Sequence, residues 1–470
     1  MAGGLVPQLH RVMLIASFIV YLILVAGIGY RAWRQTQTVD DYLLGGRRVG
    51  ASLAALSAGA SDMSGWLLLG LPGLAVLNPT AAGVTALGLL LGTWCNWRFV
   101  AARLRQGSAA LEALTLPDYF ARRFPAHGRT LRALSASAIV IFFLLYTSAG
   151  LVACGKLFHA SFGIGYESSV LLGAAIVLTY TLFGGFLAVT WTDALQALIM
   201  LAALLLVGFA LHATQAAPAH LADSLNTVTP VAGLSALAWG LGYCGQPHVL
   251  TRFMALHPSA SVRRARRLGT GWAGFGLAAA ILVGVGGADL VAIGSDPEQV
   301  FIRAVEVVLP PALAGFCLAA ILAAIMSTAD SQLLVTASAL SEDLRSLWGT
   351  SRESVDRGGI RQGRIAVLAV SLGATVLALD PGAAVFDLVA RAWAGFGATF
   401  GPAVLISLYR DDASGAGALW GMLTGLVTVV VWPWLPHHGF GIYELLPAFG
   451  LSLGVNRLVC ASLARYGKTA

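Results

Sequence analysis

The chain has 470 residues, 57% hydrophobic and only 11% charged, against roughly 25% charged in an average soluble domain. A soluble core cannot absorb that much apolar surface, whereas a bilayer can, because each spanning helix needs about 20 mostly apolar residues. The net charge of +7 does not point to nucleic acid, since the arginines sit in short loops between apolar stretches, where such charges orient a membrane protein.

In chain order, the apolar stretches predict thirteen helical spans, at 12–30, 50–76, 81–101, 132–158, 168–187, 192–213, 229–250, 268–290, 311–338, 364–380, 384–408, 415–433 and 441–463. The runs are continuous and not alternating, which disfavours a β-barrel, and helices satisfy their own backbone polar groups in lipid. The first stretch lacks a small-residue cleavage site and reads as a retained span. The 55 glycines suit close approach of helices in a membrane.

Arginine placement sets the orientation. One set of loops holds Arg31, Arg34, Arg47, Arg48, Arg98, Arg103, Arg105, Arg122, Arg123, Arg129, Arg252, Arg263, Arg264, Arg266, Arg267, Arg345, Arg352, Arg357 and Arg361. The other holds little beyond Lys156 and Arg303. The basic side is cytoplasmic, so the N-terminus is expected outside and the C-terminus, with Arg465 and Lys468, inside. The polar stretch Ser341 to Arg364 reads as a cytoplasmic connector. Cys95, Cys154, Cys244, Cys317 and Cys460 show no metal-type spacing and are expected to be free thiols.

Two spans are interrupted. The span at 50–76 carries Ser57-Ala-Gly-Ala-Ser-Asp-Met-Ser-Gly-Trp66, and that at 229–250 carries Trp239-Gly-Leu-Gly-Tyr-Cys-Gly-Gln-Pro-His248. Glycine and proline loosen a helix and free backbone groups. Broken helices at corresponding places in two halves are the sequence pointer to an inverted-repeat transporter. Each begins a run of five spans, 50–213 and 229–408, and the two runs enter the membrane from opposite sides.

Three groups of residues carry chemistry. Asp62, beside Ser61, Ser64 and Gly65, is a charge inside a span, which is expensive and by default functional; the plainer alternative is a cap on the second half-helix, and the two roles are compatible. Ser327 and Thr328, with Ala324 one turn earlier, offer three oxygens from one helix face, the donor type a hard cation takes. Their bland alternative is hydroxyls bonded to their own helix carbonyls. Trp239 and Tyr243, one turn apart, and Tyr146 in another span suit a small amphipathic ligand, or ordinary packing. His248 beside Pro247 stands out among nine dispersed histidines. No Walker loop is present, so ATP-driven pumping is disfavoured, and no His-Glu-x-x-His or paired-cysteine metal site occurs.

These strings resemble the sodium/proline symporters of the sodium–solute symporter family over nearly the whole chain. The likeness includes Asp40-Asp-Tyr-Leu-Leu-Gly-Gly-Arg47, the two interrupted strings, Leu116-Pro-Asp-Tyr-Phe120, Gly184-Gly-Phe-Leu-Ala-Val-Thr-Trp-Thr-Asp193, Met326-Ser-Thr-Ala-Asp-Ser331 and Trp393-Ala-Gly-Phe-Gly397. The resemblance implies an all-α polytopic membrane protein of the leucine-transporter type. Residues 1–49 form a first span and cytoplasmic loop, 50–213 and 229–408 two five-helix inverted repeats, and 415–463 two added spans. It implies sodium-coupled L-proline uptake across the inner membrane, with no enzymatic activity and no cofactor beyond Na+ as coupling ion. Sodium ligands would be the backbone oxygens of Ala60, Met63 and Ala324 and the hydroxyls of Ser327 and Thr328. Asp62 would support sodium affinity, and Asp193 resembles an acid on the ion's path. Proline would sit near Ser64, Gly70, Tyr146, Trp239, Tyr243 and Pro247. The expected partners are sodium, L-proline and membrane lipid, with no nucleic acid, and the chain is expected to be monomeric. The alternatives are a sodium symporter for another small carboxylate or amino acid, and a transporter-like membrane sensor. The sequence departs from the family pattern at Cys244, where an aromatic is expected, and at Asp387 and Arg391, where uncharged residues are.

Overall fold

The computed structural model describes residues 5–35, 38–181, 185–214, 228–258, 260–291, 295–344, 355–435 and 441–466. Gly184, Arg345, Arg352 and Lys468 lie outside the described residues. The helices that matter here are α1 (Leu5–Trp33), α2 (Ala51–Asp62), α3 (Leu71–Leu77), α4 (Pro79–Cys95), α5 (Gly128–Phe162), α6 (Tyr166–Thr181), α7 (Phe186–Thr214), α8 (Pro230–Leu237), α9 (Pro247–Met254), α10 (Val262–Gly286), α11 (Pro311–Ser338), α12 (Val355–Ala378), α13 (Val385–Tyr409), α14 (Gly415–Val431) and α15 (Leu445–Tyr466). No strand occurs among the described residues; one isolated parallel bridge joins Val49 to Leu256.

Every apolar stretch read from the sequence is mostly helical. Among the described residues, eight helices are long and apolar enough to cross a membrane, and the bent pair Ala51–Asp62 with Gly65–Leu77 makes up to nine. Tyr166–Thr179 and Ile365–Ala378 are shorter apolar helices. The outward faces carry Ile23 and Leu24 of α1, Phe209 of α7, Leu372 of α12 and Leu458 of α15 exposed. In water such a surface would aggregate; against acyl chains it is the expected coat.

At the centre stands α11, whose residues from Leu318 to Leu334 are all buried. It packs on α1, α2, α5 and α7. Small residues allow that crowding, with Ala319, Ala320, Ala323 and Ala324 in consecutive turns. One tight crossing is between α4 and the segment after α8. A Cβ on Gly92 would fall 2.3 Å from the Gly240 carbonyl oxygen, and one on Gly240 would fall 2.2 Å from that of Gly88. Only glycine permits that approach of two backbones.

The charges correct the sequence reading in three places. Arg252, counted among the loop arginines, is wholly buried within α9. Arg47 is also drawn inward, donating to the carbonyls of Met254 at 2.9 Å and Ala113 at 2.6 Å, and so ties the segment between α1 and α2 to the end of α9. On the opposite side Lys156 is buried, with Nζ 2.5 Å from Glu298 and 2.8 Å from Asp296. Glu298 accepts in turn from the backbone amides of Val385 at 3.0 Å and Phe386 at 2.9 Å, and so caps α13. Each cation follows the same physics, since a buried charge needs partners, and neighbouring loops and helices supply carbonyls, hydroxyls or carboxylates. Asp387 and Arg391 are both exposed. All five cysteines are free.

The glycine crossing yields a stability prediction. Overpacking a close-packed contact costs about 1–3 kcal/mol or more. Gly240→Val and Gly92→Val should reduce the yield of monodisperse protein in detergent several-fold. Gly271→Ala, where a new Cβ meets nothing within 4 Å, should leave it unchanged. Gel filtration of the three variants checks this, and normal yield for both valine variants would contradict the described crossing.

Candidate ion and substrate site

The first interrupted span breaks where small polar residues compete with the helix for backbone bonds. α2 ends at Asp62, and Met63 adopts φ −90° and ψ 79°. Ser64 N donates back to Asp62 O at 3.2 Å, and the chain restarts through a wide turn at Trp66–Gly70, bent by 71° from α2. The break leaves carbonyls that the helix no longer uses. Asp62 O accepts from Trp66 Nε1 at 3.1 Å and from the Tyr146 hydroxyl at 3.1 Å. Ala60 O accepts from Ser327 Oγ at 2.9 Å and from Thr328 Oγ1 at 3.4 Å.

Ser327 Oγ also lies 3.0 Å from Ala324 O. Two carbonyls and two hydroxyls from α2 and α11 therefore converge, all buried. One hydroxyl hydrogen of Ser327 faces two carbonyls, so the cluster holds more acceptor capacity than donors. An oxygen-only, acceptor-rich set suits a hard cation. Met63 is buried at the end of α2, next to this cluster in sequence, and its own amide remains tied to Gly59 O at 2.9 Å.

The second interrupted span runs as α8, then a tighter 3-10 turn over Ala238–Gly245, then α9. Gln246, with ψ 108°, breaks it, and Pro247 restarts it at the first helical position, where a missing N–H costs nothing. The 3-10 turn presents Trp239 and Tyr243 to one aromatic group. Trp239 stacks on Tyr443 at 5.2 Å between ring centres and lies 4.9 Å from Phe386; Trp393 meets Tyr243 edge-on at 4.9 Å and donates its Nε1 to Trp239 O at 2.8 Å. Gly70 packs against Phe386, which a Cβ would meet at 3.2 Å. The two broken spans touch directly, because the Tyr243 hydroxyl donates to Asp62 Oδ2 at 2.6 Å. Ser64 is buried beside them, its hydroxyl accepting from Trp66 N at 3.4 Å. Pro247 is one step removed; its neighbour His248 packs edge-on to Tyr146 at 6.1 Å and to Phe143 at 5.6 Å.

A buried charge network adjoins the ion cluster. Asp193 Oδ2 accepts from Ser57 Oγ at 2.6 Å and from Arg252 at 3.1 Å. Arg252 also donates to Ser57 Oγ at 3.1 Å, to His248 O at 2.9 Å and to Ser331 Oγ, and its guanidinium lies 5.3 Å from the centre of the Phe186 ring. Ser331 Oγ in turn donates to Ser327 O at 2.9 Å. One guanidinium thus joins α2, α7, α9 and α11, one turn from Ala60 on α2 and one turn from Ser327 on α11.

The structure brings together Ala60, Ala324, Ser327 and Thr328, and links Asp62 to Tyr146 and Tyr243. Sequence reasoning missed Arg252, which hydropathy assigned to a loop, and Phe386 and Tyr443. Trp393 was quoted only inside a string. An arginine four residues after His248 on a helix that begins inside a span was the available signal for the first.

Residues 42–425 match the model of the sodium:solute symporter family. The chain is 43% identical over 459 residues to the sodium/proline symporter of Escherichia coli strain K12, covering 93% of this chain and 90% of that protein. It is 42% identical over 476 residues to the osmoregulated proline transporter OpuE of Bacillus subtilis, covering 97% and 96%. Among solved structures it superposes on a Na+-coupled sialic acid symporter in a substrate-bound outward-open state. The TM-score is 0.79, with 95% of this chain and 97% of that one covered, at 17% identity. Mhp1, a nucleobase-cation-symport-1 family transporter in a closed conformation, gives a TM-score of 0.56 over 91% and 96% at 17% identity. The structures share the fold, and the proteins share sequence over nearly their full lengths. The chain is a multi-pass membrane protein that belongs to the sodium:solute symporter family.

Proposed function

We propose that this chain is a secondary active transporter that takes L-proline into the cell together with sodium by alternating access. The observation that carries it is the meeting of the two broken spans. The Tyr243 hydroxyl holds Asp62 at 2.6 Å, two residues from the Ala60 carbonyl that Ser327 and Thr328 hold. A ligand on the aromatic side and an ion on the α11 side would act on one unwound segment. The names of relatives at 42–43% identity support proline as the substrate.

In this reading sodium takes the carbonyls of Ala60, Met63 and Ala324 and the hydroxyls of Ser327 and Thr328, joining α2 to α11. Asp62 supports sodium affinity through its charge, and Asp193 lies on the ion's path with Arg252 as its partner. Proline lies near Ser64, Gly70, Tyr146, Trp239, Tyr243 and Pro247. Its carboxylate favours a half-helix N-terminus, where the dipole is positive, and its ring rests on the aromatics. Each ligand raises the other's affinity by the same factor, worth about 1–3 kcal/mol. Thirteen spans, with residues 50–213 and 229–408 as five-helix inverted repeats, complete the reading. Residues 1–49 and 415–463 flank them. The arginine asymmetry supports an outside N-terminus and a cytoplasmic C-terminus in the plasma membrane.

Labelled proline uptake into vesicles tests it. An inward sodium gradient should drive accumulation above equilibrium, and excess unlabelled proline should compete where other small carboxylates do not. In Ser327→Ala/Thr328→Ala the sodium concentration for half-maximal uptake should rise tenfold or more, about 1.4 kcal/mol of lost binding. Uptake indifferent to sodium, or unchanged activation in that variant, would refute the reading.

The aromatic side makes a separable prediction. Trp239→Ala should raise the KM for proline several-fold with little effect on sodium dependence. Tyr243→Phe keeps the ring but loses the bond to Asp62, so it should shift both. Kinetics at varied proline and varied sodium check the split. Wild-type constants in both variants would place the substrate elsewhere.

A further inference from the structure

Three rings surround the Trp239 indole. Tyr443 lies 5.2 Å away between centres and is inclined by 19°, Trp393 lies at 6.3 Å and 28°, and Phe386 at 4.9 Å and 32°. Among the described residues the indole makes no hydrogen bond of its own, so packing against these rings sets its plane. Phe386 and Trp393 stand on α13, inside the second five-helix run. Tyr443 does not. It directly precedes α15, in the pair of helices that follows both runs.

Tyr443 is held from both ends. Its hydroxyl donates to Ala390 O on α13 at 2.6 Å, and its amide donates to Ser235 Oγ on α8 at 3.1 Å. Its neighbour Ile442 is fixed as well, its carbonyl accepting from Trp432 Nε1 at 2.9 Å. The helix that follows is seated on α13 at two glycines. A Cβ on Gly397 would meet Leu445 at 2.8 Å, and one on Gly401 would meet Phe449 at 2.6 Å. A tyrosine bonded at its amide and its hydroxyl, on a helix end with no room to shift, presents its ring in one orientation. Of the three rings it is the one most nearly parallel to Trp239.

We propose that Tyr443 is a positioning residue of the substrate site: it fixes the plane of Trp239 for the ligand and so makes the start of α15 part of that site. Immobilising a loose side chain on binding costs affinity. An indole already stacked on a bonded ring spares the ligand that cost. The effect therefore falls on proline affinity, through Trp239, and not on the ion cluster at Ala60, Ser327 and Thr328, to which Tyr443 makes no bond. The inference rests on Trp239 being part of the substrate pocket, as proposed above.

Proline uptake by the reconstituted full-length protein tests it. Tyr443→Leu keeps bulk and loses the ring. It should raise the KM for proline roughly fivefold, the size expected of one aromatic pair, with kcat and the half-maximal sodium concentration unchanged. Tyr443→Phe keeps the stack and should restore a KM near that of the wild type. In a Trp239→Ala background Tyr443→Leu should add nothing, because the ring it positions is gone. Where Tyr443→Leu is not monodisperse in detergent, Tyr443→Met serves the same test. A wild-type KM in the ringless variant, a loss confined to kcat or to sodium activation, or a phenylalanine variant as weak as the leucine one would overturn the inference. So would a loss in the Trp239→Ala background as large as in the wild type. A wild-type KM in Trp239→Ala itself would instead overturn the substrate reading beneath it.

Discussion

Everything in this structure turns on the two-residue break after Asp62. A continuous helix would consume the carbonyls of Ala60 and Asp62 in its own ladder. Released, they accept from Ser327, Thr328, Trp66 and Tyr146, which stand on three different stretches of chain. In lipid no water can take their place, so the break persists only because the neighbours over-determine it. An unwound segment held by side chains and not by its own ladder is one that a ligand can re-hold. The second break, at Gln246, is built differently. It has a glycine-rich 3-10 turn before it and a proline after it, and it delivers Tyr243 to Asp62.

Closure at the two ends uses charge. At one end Arg47 gathers carbonyls from the loop before α5 and from the end of α9. At the other, Lys156 and Glu298 tie α5 to the start of α13. Between them Arg252 and Asp193 form a fully buried pair. Such a pair adds little net stability by itself, but removing one partner costs about 3–5 kcal/mol. That asymmetry suits an element that must either hold together or part as a unit. Because Arg252 reaches both Ser57 on α2 and Ser331 on α11, separating α2 from α11 would break its contacts.

Much of this was legible in the chain. Hydropathy located α11 to the residue, small polar residues with glycine located the first break, and glycine with proline located the second, because those signals act within a few residues. The acceptor cluster was half-legible. Ser327 and Thr328 advertise oxygens, but that Ala60 completes them depends on a packing 267 residues apart in sequence. The burial of Arg252 was not legible, since a charge near a span end reads as a loop charge until its partners on three other helices are known. Thr93 and Asn96 look like ordinary polar residues in an apolar helix. Only the geometry reveals that Asn96 Nδ2 donates to the Tyr243 carbonyl at 2.9 Å, on the second broken span.

The central claim is that an ion holds the broken segment against α11. Hydrogen–deuterium exchange of the purified protein, with and without sodium, tests it most directly. Sodium should slow exchange in peptides covering residues 57–66 and 323–331 together, and that protection should vanish in Ser327→Ala/Thr328→Ala while peptides from α14 and α15 stay unchanged. Protection absent from both segments, or equally strong in the double variant, would contradict the account.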